Sequence, residues 1–440
     1  MVKLKRLKIE KYRNVKPGTE LHFRDSLNVL LGRNGTGKTT LLNLIVQLLR
    51  WDFSQLQNEA ADLEYELETA EAELLVRLRT EVLQDPAGRA TSGRRIPDEL
   101  FAMELVQRNS RYATVLEVEI VQPEAYLLRL DGSMLTLSVR GSPPFYQANP
   151  TQPLLGRNSL LEIVSILGGP FAEPGPMQIP VWALASAITG RVAFLRRFDE
   201  SLEYLGHITQ QASFGAQKVQ PPYAGTDSYI AYPRGGPQLF AERLQALLKH
   251  NPEVDEIRIE SSDEEAEFLV RLVELLGFES AQVRLQRISR SAGPDEQVEF
   301  GNTQFYFVRR DGSITSHSLL SYGQKRLLAF YYYLASNPGC VVADELVNGM
   351  HHEWIEACLE DLGERQAFLT SQNPLLLDYL SFESAEEVRS SFVLCRTEFQ
   401  EGREQMVWEN MTAEDSEGFF KAYQVAIQHV SELLRTRGLW

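Results

Sequence analysis

Apolar and polar residues alternate along the start of the chain in a way that is typical of short strands. Residues 2–9 read VKLKRLKI, and shorter stretches of the same kind follow at 20–23 and 27–31. The next apolar run, TTLLNLIVQLL at 39–49, has the length and composition of a helix. The chain is therefore predicted to begin as a set of strands that leads through a tight turn into a helix.

Residues 52 to about 84 show a different spacing, which predicts one long helix. Apolar residues recur in alternating steps of four and three, as in a coiled-coil seam, at Leu56, Ala60, Leu63, Leu67, Ala70 and Leu74. The positions between them are strongly acidic, and we expect that face to contact a protein partner and not DNA. The heptads are few, so the pattern fits a helix that lies on its own domain as well as a projecting arm.

The remaining patterns divide the chain further. Strand patterns return at 112–140, a proline-rich excursion occupies 141–180, a mostly helical pattern runs from about 181 to 285, and strands resume at 282–310. The predicted segments are an N-terminal lobe (1–50), a helical arm (51–110), further strands of the lobe (111–142), a mostly helical insertion or lid (143–290) and a C-terminal lobe (291–440). The fold class is predicted to be α/β with a helical or coiled-coil insertion.

Composition narrows the class of protein. At 440 residues the chain is longer than one core usually holds, and its net charge of −16 removes the simplest argument for nucleic-acid binding. The most basic stretch, residues 3–16, fits a solvated strand face at least as well as a nucleic-acid contact. Scattered cysteines and the lack of a signal peptide or a membrane-spanning apolar run predict a cytoplasmic protein with no membrane partner.

The turn before the first helix carries the strongest chemical signal. Residues 32–39 read GRNGTGKT, which is the spacing G-x-x-x-x-G-K-[ST] between a strand and a helix. Glycines let successive backbone N–H groups point at phosphate oxygens, Lys38 reaches the β- and γ-phosphates, and Thr39 offers its hydroxyl to Mg²⁺. The predicted nucleotide-binding residues are Gly32, Asn34, Gly35, Thr36, Gly37, Lys38, Thr39 and Thr40.

Three motifs near the C-terminus complement this loop. The sequence LSYGQ at 320–324 opens a predicted helix, where Ser321 and Gly323 can bind a phosphate. An apolar strand at 339–343 ends in Asp344, which can hold Mg²⁺, and Glu345, which can act as a general base on water. A second apolar strand ends in polar residues at 370–374.

Together these motifs resemble the ATP-binding-cassette (ABC) ATPases of the RecF, SMC and Rad50 type and, within that class, the OLD-like ATPases of phage defence. The resemblance rests on residues 1–50 and about 300–380. It implies an ABC-type P-loop ATPase head with a mixed sheet and flanking helices, and ATP and Mg²⁺ as cofactors. It also implies a homodimer or higher homo-oligomer, in which each nucleotide lies between the phosphate loop of one subunit and the signature motif of the other.

The resemblance also implies roles for individual residues. Glu345, Lys38 and Gln372 match catalytic positions, although relatives carry a switch histidine where this chain has Gln372, which implies slow turnover. Thr39 and Asp344 match the Mg²⁺ ligands, with Gln122 as the candidate for the Q-loop glutamine. The other matches are Ser321, Gly323 and Gln324 in the signature, Asn348, Gly349 and His351 in the D-loop, and Arg13 and Asn14 beside the adenine.

Three functions are compatible with this resemblance. The first is an ATP-driven switch in bacterial phage defence that controls a separate effector, a nuclease, and responds to a phage protein or to DNA. The residues after Gln372 lack the acidic cluster of a fused nuclease domain, which favours an effector on another chain. The second is a RecF-like repair ATPase that clamps DNA, favoured by the basic start of the chain. The third, a transporter subunit, disagrees with the long separation between loop and signature.

Overall fold

The computed structural model describes residues 2–53, 56, 59–70, 72–82, 112–122, 126–131, 134–144, 146–148, 192–195, 210–213, 239–240, 244, 247–248, 250–251, 253–291, 297–336, 339–400, 402–425 and 428–439. The strands are β1 (Lys3–Tyr12), β2 (Thr19–His22), β3 (Leu27–Leu31), β4 (Ala61–Glu68), β5 (Glu73–Val82), β6 (Tyr112–Gln122), β7 (Tyr126–Asp131), β8 (Met134–Val139), β9 (Tyr146–Ala148), β10 (Val192–Leu195), β11 (Gln210–Ser213), β12 (Glu256–Glu260), β13 (Ser280–Ser291), β14 (Gln297–Val308), β15 (Ile314–Ser316), β16 (Cys340–Ala343), β17 (Gln366–Thr370), β18 (Phe392–Gln400) and β19 (Arg403–Asn410). The helices are α1 (Lys38–Arg50), α2 (Glu267–Leu276), α3 (Tyr322–Ser336), α4 (His352–Asp361), α5 (Pro374–Asp378), α6 (Ala385–Ser391), α7 (Ala413–Gln424) and α8 (Val430–Thr436).

A six-stranded mixed sheet forms the centre of the fold, in the order β10-β16-β17-β3-β18-β19. The first five strands of this order are parallel to their neighbours, and β19 is antiparallel to β18. Strands β16 and β17 are buried at every position, as expected for parallel strands covered on both faces. Because parallel strands end at one edge of a sheet, the residues after β3, β16 and β17 meet there. The predicted α/β class with a mixed sheet is confirmed.

An eight-stranded antiparallel sheet packs over the first helix, in the order β2-β1-β4-β5-β6-β7-β8-β9. One apolar core joins this sheet to α1 and to β16 and β17 of the central sheet; it includes Leu7, Leu44, Leu63, Val342 and Phe368. Helix α1 is thus fixed between the two sheets, and the loop before it is fixed with it.

A third sheet contains β11, β14, β13 and β12 in that order, and its fifth strand, β15, pairs with β14. Its inner face packs with α2 and α3 in a second core that includes Phe268, Phe300, Phe305 and Tyr332. This packing determines the position of α3, whose first residues carry the predicted signature. In the residues that the structure describes, no helix has both the length and the hydropathy needed to span a membrane.

The predicted helix at 52–84 is wrong, and with it the helical arm in its described part. Strands β4 and β5 form an antiparallel hairpin in which Leu67 faces Leu74. In β4 the buried residues occupy every second position, so the apolar pattern of this segment repeats every two residues, as in a strand. Residues four apart share a face in a strand as well as in a helix, so Leu63 and Leu67 satisfied both patterns. Residues 83–111, the rest of the predicted arm, lie outside the described residues.

The predicted mostly helical insertion at 143–290 is also corrected where the structure describes it. The pattern at 263–278 does form a helix, α2, and β13 and β14 confirm the strands predicted at 282–310, but β12 lies inside the stretch that was predicted to be mostly helical. Strand β10 lies inside the run VWALASAITGRVAFLRRFDESLEYL, which was expected to be helical, and it pairs in parallel with β16. A short apolar run in a parallel sheet has no period that separates it from a buried helix, which explains the error.

Charges on the outer face of the eight-stranded sheet pair across neighbouring strands. Arg6 on β1 contacts Glu64 at 2.5 Å and Glu66 at 2.7 Å on β4, and Arg77 on β5 contacts Glu64 at 2.8 Å. Burial alone would lower the pKa of Arg6, but its hydrogen bonds to the two glutamates raise it above its ordinary value. The basic start of the chain and the acidic segment after it therefore neutralise each other, which weakens the argument that β1 contacts nucleic acid.

Candidate functional site

The phosphate loop connects the end of β3 to the start of α1. Gly37 is the residue before the helix and has φ +87°, in the left-handed region that favours glycine. A Cβ on Gly37 would lie 2.3 Å from Met406 Sδ, and one on Gly32 would lie 2.1 Å from the Cys395 carbonyl oxygen. Strands β18 and β19 therefore pack so closely against the loop that they leave no room for a side chain at Gly32 or Gly37. The first turn of α1 contains no acidic residue, so its N–H groups and dipole are suited to an anion.

Lys38 lies across the loop that it terminates. Its ammonium group donates hydrogen bonds to the carbonyl oxygens of Gly32, at 2.7 Å, and of Arg33, at 3.0 Å. Burial lowers the pKa of Lys38 below its ordinary value, while the negative charges of Asp344 and Glu345 act in the opposite direction. The side chain therefore places a cation at the phosphate loop, near the two carboxylates.

Thr39 and Asp344 meet although they lie far apart in the sequence. The Thr39 hydroxyl donates a hydrogen bond of 2.7 Å to Asp344 Oδ2. The other carboxylate oxygen of Asp344 accepts a hydrogen bond from the Thr370 hydroxyl at the end of β17. A threonine hydroxyl and a carboxylate, side by side beside a phosphate loop, are the oxygen donors that suit Mg²⁺, so these residues fit the metal.

Glu345 adopts a backbone conformation that is unusual for its residue type. Its φ is +54°, and a left-handed non-glycine residue costs about 1–3 kcal/mol unless its surroundings impose it. Here the N–H of Glu345 donates to the Thr370 hydroxyl at 2.8 Å, and its carbonyl oxygen accepts from the Arg326 guanidinium. Strain at a carboxylate that follows a buried strand is typical of a site whose side chain must point in one direction.

Two amides hold the carboxylate of Glu345. The Asn348 side chain donates a 2.8 Å hydrogen bond to Oε2, and the Gln372 side chain donates a hydrogen bond to Oε1. Gln372 is exposed, on the loop that follows β17. The residue at the predicted switch position therefore contacts the predicted base directly. The hydroxyl of Thr370, two residues earlier, contacts Asp344. Residues at the end of β17 therefore bind the carboxylates of both Asp344 and Glu345.

The predicted signature begins helix α3 with reciprocal capping hydrogen bonds. The Ser321 N–H donates to Gln324 Oε1 at 2.9 Å, and the Gln324 N–H donates to Ser321 Oγ at 3.4 Å. Gly323 is buried against the segment after Glu345, since a Cβ there would lie 2.4 Å from the Gly349 carbonyl oxygen. Ser321 itself is exposed. The motif thus caps its own helix and presents a polar surface to solvent.

The predicted D-loop packs against the signature of the same chain. Gly349 has φ +75°, and a Cβ there would lie 2.8 Å from Tyr322 Cδ1. His351 precedes helix α4 and is exposed; its ring lies 4.1 Å from that of His352. Asn348 is the D-loop residue that reaches Glu345.

The remaining predicted nucleotide-binding residues include Arg13 and Asn14, which follow β1, and residues of the phosphate loop and of helix α1. Arg13 has φ +48° and donates two hydrogen bonds to Glu59, at 2.9 and 3.1 Å. The carbonyl of Asn14 accepts a 2.8 Å hydrogen bond from Met406, the residue that backs the phosphate loop. Asn34 is exposed in that loop, Thr36 donates to the Arg33 carbonyl at 2.8 Å, and Thr40 lies in the first turn of α1.

Gln122 lies in another part of the fold. It ends β6, opposite Glu73 in the eight-stranded sheet, whereas Thr39 and Asp344 border the central sheet. Its role as a metal-ligating glutamine stays a prediction.

Three residues of the site were not found by sequence reasoning. Thr370 bridges the two carboxylates, Arg326 binds the backbone of Glu345, and Trp408 donates a 3.3 Å hydrogen bond to the carbonyl of Thr36. A hydroxyl at the end of an apolar strand was a signal for Thr370. Arg326 and Trp408 lie on elements whose spatial neighbours no local pattern shows.

Two family models match separate parts of the chain. Residues 2–83 match an "AAA ATPase domain", and residues 222–378 match an "AAA domain, putative AbiEii toxin, Type IV TA system". The first match contains the phosphate loop, and the second contains the signature, Asp344 and Glu345.

Individual proteins are also similar to parts of the chain or to its fold. The DNA replication and repair protein RecF of Shewanella loihica is 32% identical over 138 residues, which are 29% of this chain and 35% of that protein. The match thus spans about a third of the length of this curated relative. Among solved structures, the SMC head bound to the C-terminal winged-helix domain of ScpA has a TM-score of 0.40 at 8% identity, covering 93% of this chain and 98% of that one. RecF with bound ATPγS has a TM-score of 0.30 at 13% identity, with coverages of 93% and 98%.

Proposed function

We propose that the chain, two parts of which match ATPase family models and part of which is similar to RecF, binds and hydrolyses ATP and works as a dimeric, nucleotide-driven switch. One observation carries this proposal. The hydrogen bond between Thr39 and Asp344 joins the phosphate loop to the strand that ends in Glu345, so the binding and hydrolytic residues form one site.

Each residue then has a defined task. The N–H groups of the first turn of α1 and the ammonium of Lys38 bind the phosphates. Thr39 and Asp344 hold Mg²⁺, which when bound neutralises developing charge on the phosphate oxygens. Glu345 orients the attacking water and accepts its proton, while the amides of Asn348 and Gln372 hold the carboxylate in place.

The dimer is proposed from the position of the signature. Ser321 and Gln324 bond to each other, and Ser321 lies in solvent at the start of a fifteen-residue helix. Such a helix start is suited to the phosphate of a nucleotide held by another subunit. In a homodimer, two such surfaces and two phosphate loops make two composite sites.

The biological role that we propose is control of a separate effector, a nuclease, in phage defence, with a phage protein or DNA as the trigger. The name of the family model over residues 222–378 includes a toxin of a type IV toxin–antitoxin system. This name supports a role in defence. A RecF-like role in DNA repair is the second candidate, and the similarity to RecF favours it. The ion pairs between β1 and β4 count against β1 as the DNA contact of such a clamp.

Turnover of ATP by the purified chain tests the proposed activity. We expect Mg²⁺-dependent release of phosphate by the wild-type chain. In Glu345→Gln we expect retained nucleotide binding, strongly slowed turnover and a stable dimer with ATP, because an amide cannot accept the proton of water. Turnover of Glu345→Gln at the wild-type rate would show that another residue is the base. Salt-dependent binding to duplex DNA by the ATP-bound wild-type chain would favour the second role.

A further inference from the structure

Arg326 lies between the start of helix α3 and the backbone of Glu345. Its side chain is only 4% exposed. One guanidinium nitrogen donates a 2.6 Å hydrogen bond to the Tyr322 hydroxyl, and the other donates to the main-chain carbonyl of Glu345. The guanidinium carbon also lies 5.2 Å from the centroid of the Tyr322 ring. A buried cation therefore joins Tyr322, within the signature, to the backbone of the proposed base.

The backbone of Glu345 depends on such contacts. Its left-handed φ of +54° is maintained from both sides, by Thr370 at the N–H and by Arg326 at the carbonyl. Rotation of this residue towards an ordinary conformation would break one of these bonds and redirect the carboxylate. The bond from Arg326 is thus a determinant of where the Glu345 carboxylate points.

Tyr322 reaches Glu345 by a second path. Its ring packs on Gly349, where a Cβ would lie only 2.8 Å from it, and the preceding residue, Asn348, donates to the Glu345 carboxylate at 2.8 Å. Tyr322 is also 49% exposed, on the same surface as Ser321. One partly exposed ring therefore contacts both the group that holds the backbone of Glu345 and the loop that holds its side chain.

We infer that Arg326 is a positioning residue, and that Tyr322 and Arg326 transmit the state of the signature surface to Glu345 of the same subunit. The inference rests on the proposed function, in which that surface receives the nucleotide of the partner subunit. Glu345 acts on the nucleotide of its own phosphate loop. Nucleotide at one composite site, by contacting Tyr322, then controls hydrolysis at the other, and hydrolysis depends cooperatively on ATP concentration.

Steady-state kinetics of Tyr322→Phe, Arg326→Lys and Arg326→Met test this path. Tyr322→Phe removes one oxygen and keeps the ring, whereas a lysine at 326 cannot reach both acceptors with the geometry of a guanidinium. We expect kcat to fall by about 10- to 100-fold with KM within about twofold, because a misdirected base impairs chemistry and not binding. We also expect the cooperativity to disappear. The double variant Tyr322→Phe/Arg326→Met should lose no more than Arg326→Met alone, because both changes break one path.

Arg365→Met is the matched control. Arg365 is a partly buried arginine that also donates to main-chain carbonyls, those of Asp361 at 3.3 Å and Leu362 at 3.2 Å, but it lies after helix α4 and away from Glu345. We expect it to change thermal stability without changing the cooperativity of turnover.

The outcomes separate this inference from the proposed function. A wild-type chain that neither binds nor hydrolyses ATP would overturn both. Wild-type turnover combined with unchanged kcat and cooperativity in Tyr322→Phe and Arg326→Lys would overturn the inference alone. Additive losses in the double variant would also overturn it, because they would show two independent roles. If Arg326→Met does not fold, the single-oxygen change in Tyr322→Phe decides the question.

Discussion

The hydroxyl of Thr39 lies 2.7 Å from the carboxylate of Asp344, a residue 305 positions later in the chain. The contact joins the first turn of α1 to the end of β16, and parallel pairing in the central sheet brings those two ends to one edge. It also explains why the two halves of the site can be separated by a long stretch of sequence. The sheet, and not the chain between the halves, sets their distance.

This contact leads to a prediction for Asp344→Asn. An asparagine keeps an oxygen that can accept from Thr39 but lacks the charge that Mg²⁺ requires. We expect the variant to fold and to bind ATP without the increase in affinity that Mg²⁺ gives to the wild-type chain. Titration of nucleotide with and without Mg²⁺ measures this. Asp361→Asn, a carboxylate on α4 that accepts from Arg271 at 2.9 Å, is the control and should keep the Mg²⁺ effect. The same Mg²⁺ effect in Asp344→Asn would rule out Asp344 as the metal ligand.

A mixing experiment tests the proposed composite site. Lys38→Ala should lose ATP binding, since the lysine serves the phosphates. Ser321→Arg should bind ATP but not hydrolyse it, since the signature acts on the nucleotide of the other subunit. Because a mixed dimer of the two variants contains one intact composite site, we expect phosphate release to recover in part.

Each variant mixed with itself is the control, and differently tagged subunits report whether mixed dimers form. Absence of any recovery in a sample that contains mixed dimers would contradict either the shared geometry or the independence of the two sites.

Spacing along the sequence identified most of the residues that the structure brings together at the candidate nucleotide site. The glycines at 32 and 37, Lys38, Thr39, Asp344 and Glu345 follow one another at spacings that the chemistry of phosphate and Mg²⁺ requires, and the structure brings them to one sheet edge. Local spacing could not show that Arg326 binds the backbone of Glu345, because that contact depends on how α3 packs against the central sheet.

The error over residues 61–82 has a physical cause of the same kind. Leu63, Leu67 and Leu74 fit a helical seam, but Tyr65 is buried as well, and only a period of two explains Leu63, Tyr65 and Leu67 together. Leu74 lies on the next strand, opposite Leu67. The acids between these residues looked like a solvated helix face. Their true partners are cations on β1 and β5, which no reading of the segment by itself could identify.

Gln372, at the predicted switch position, leads to the third prediction. Its amide donates to the carboxylate of Glu345, and a hydrogen bond to a charged group contributes about 1.5–3 kcal/mol. We expect Gln372→Ala to lower kcat by about tenfold or more with little change in KM, because the base is no longer held. We expect Gln372→His to retain turnover, with a new pH dependence near pH ~6.5 where an unperturbed imidazole changes charge.

The pH profile of kcat in both variants measures this effect. Gln424→Ala, an exposed glutamine at the end of α7, is the control and should match the wild-type chain. A wild-type profile in Gln372→Ala would show that the contact with Glu345 has no role in turnover.

The ion pairs of Glu64 give the last prediction, which concerns stability and not activity. Burial alone would raise the pKa of Glu64, but hydrogen bonds from Arg77 and Arg6 lower it below its ordinary value of 4.5. A carboxylate with a lowered folded-state pKa stabilises the protein above its unfolded-state pKa, and this contribution is lost as the pH falls through the folded value. We therefore expect Glu64→Gln to be less stable than the wild-type chain at pH ~7, by about 1 kcal/mol, because the group is partly exposed. The difference should shrink as the pH falls below the ordinary glutamate pKa of 4.5 and through the lowered folded-state pKa, where the wild-type carboxylate also becomes neutral. Thermal unfolding across this range measures it, with Glu417→Gln as the control, since Glu417 is 65% exposed and lies 3.9 Å from Lys421. If Glu64→Gln is as stable as the wild-type chain at pH ~7, the acidic residues of β4 are not held by the cations of β1 and β5, and a protein partner for them becomes the better explanation.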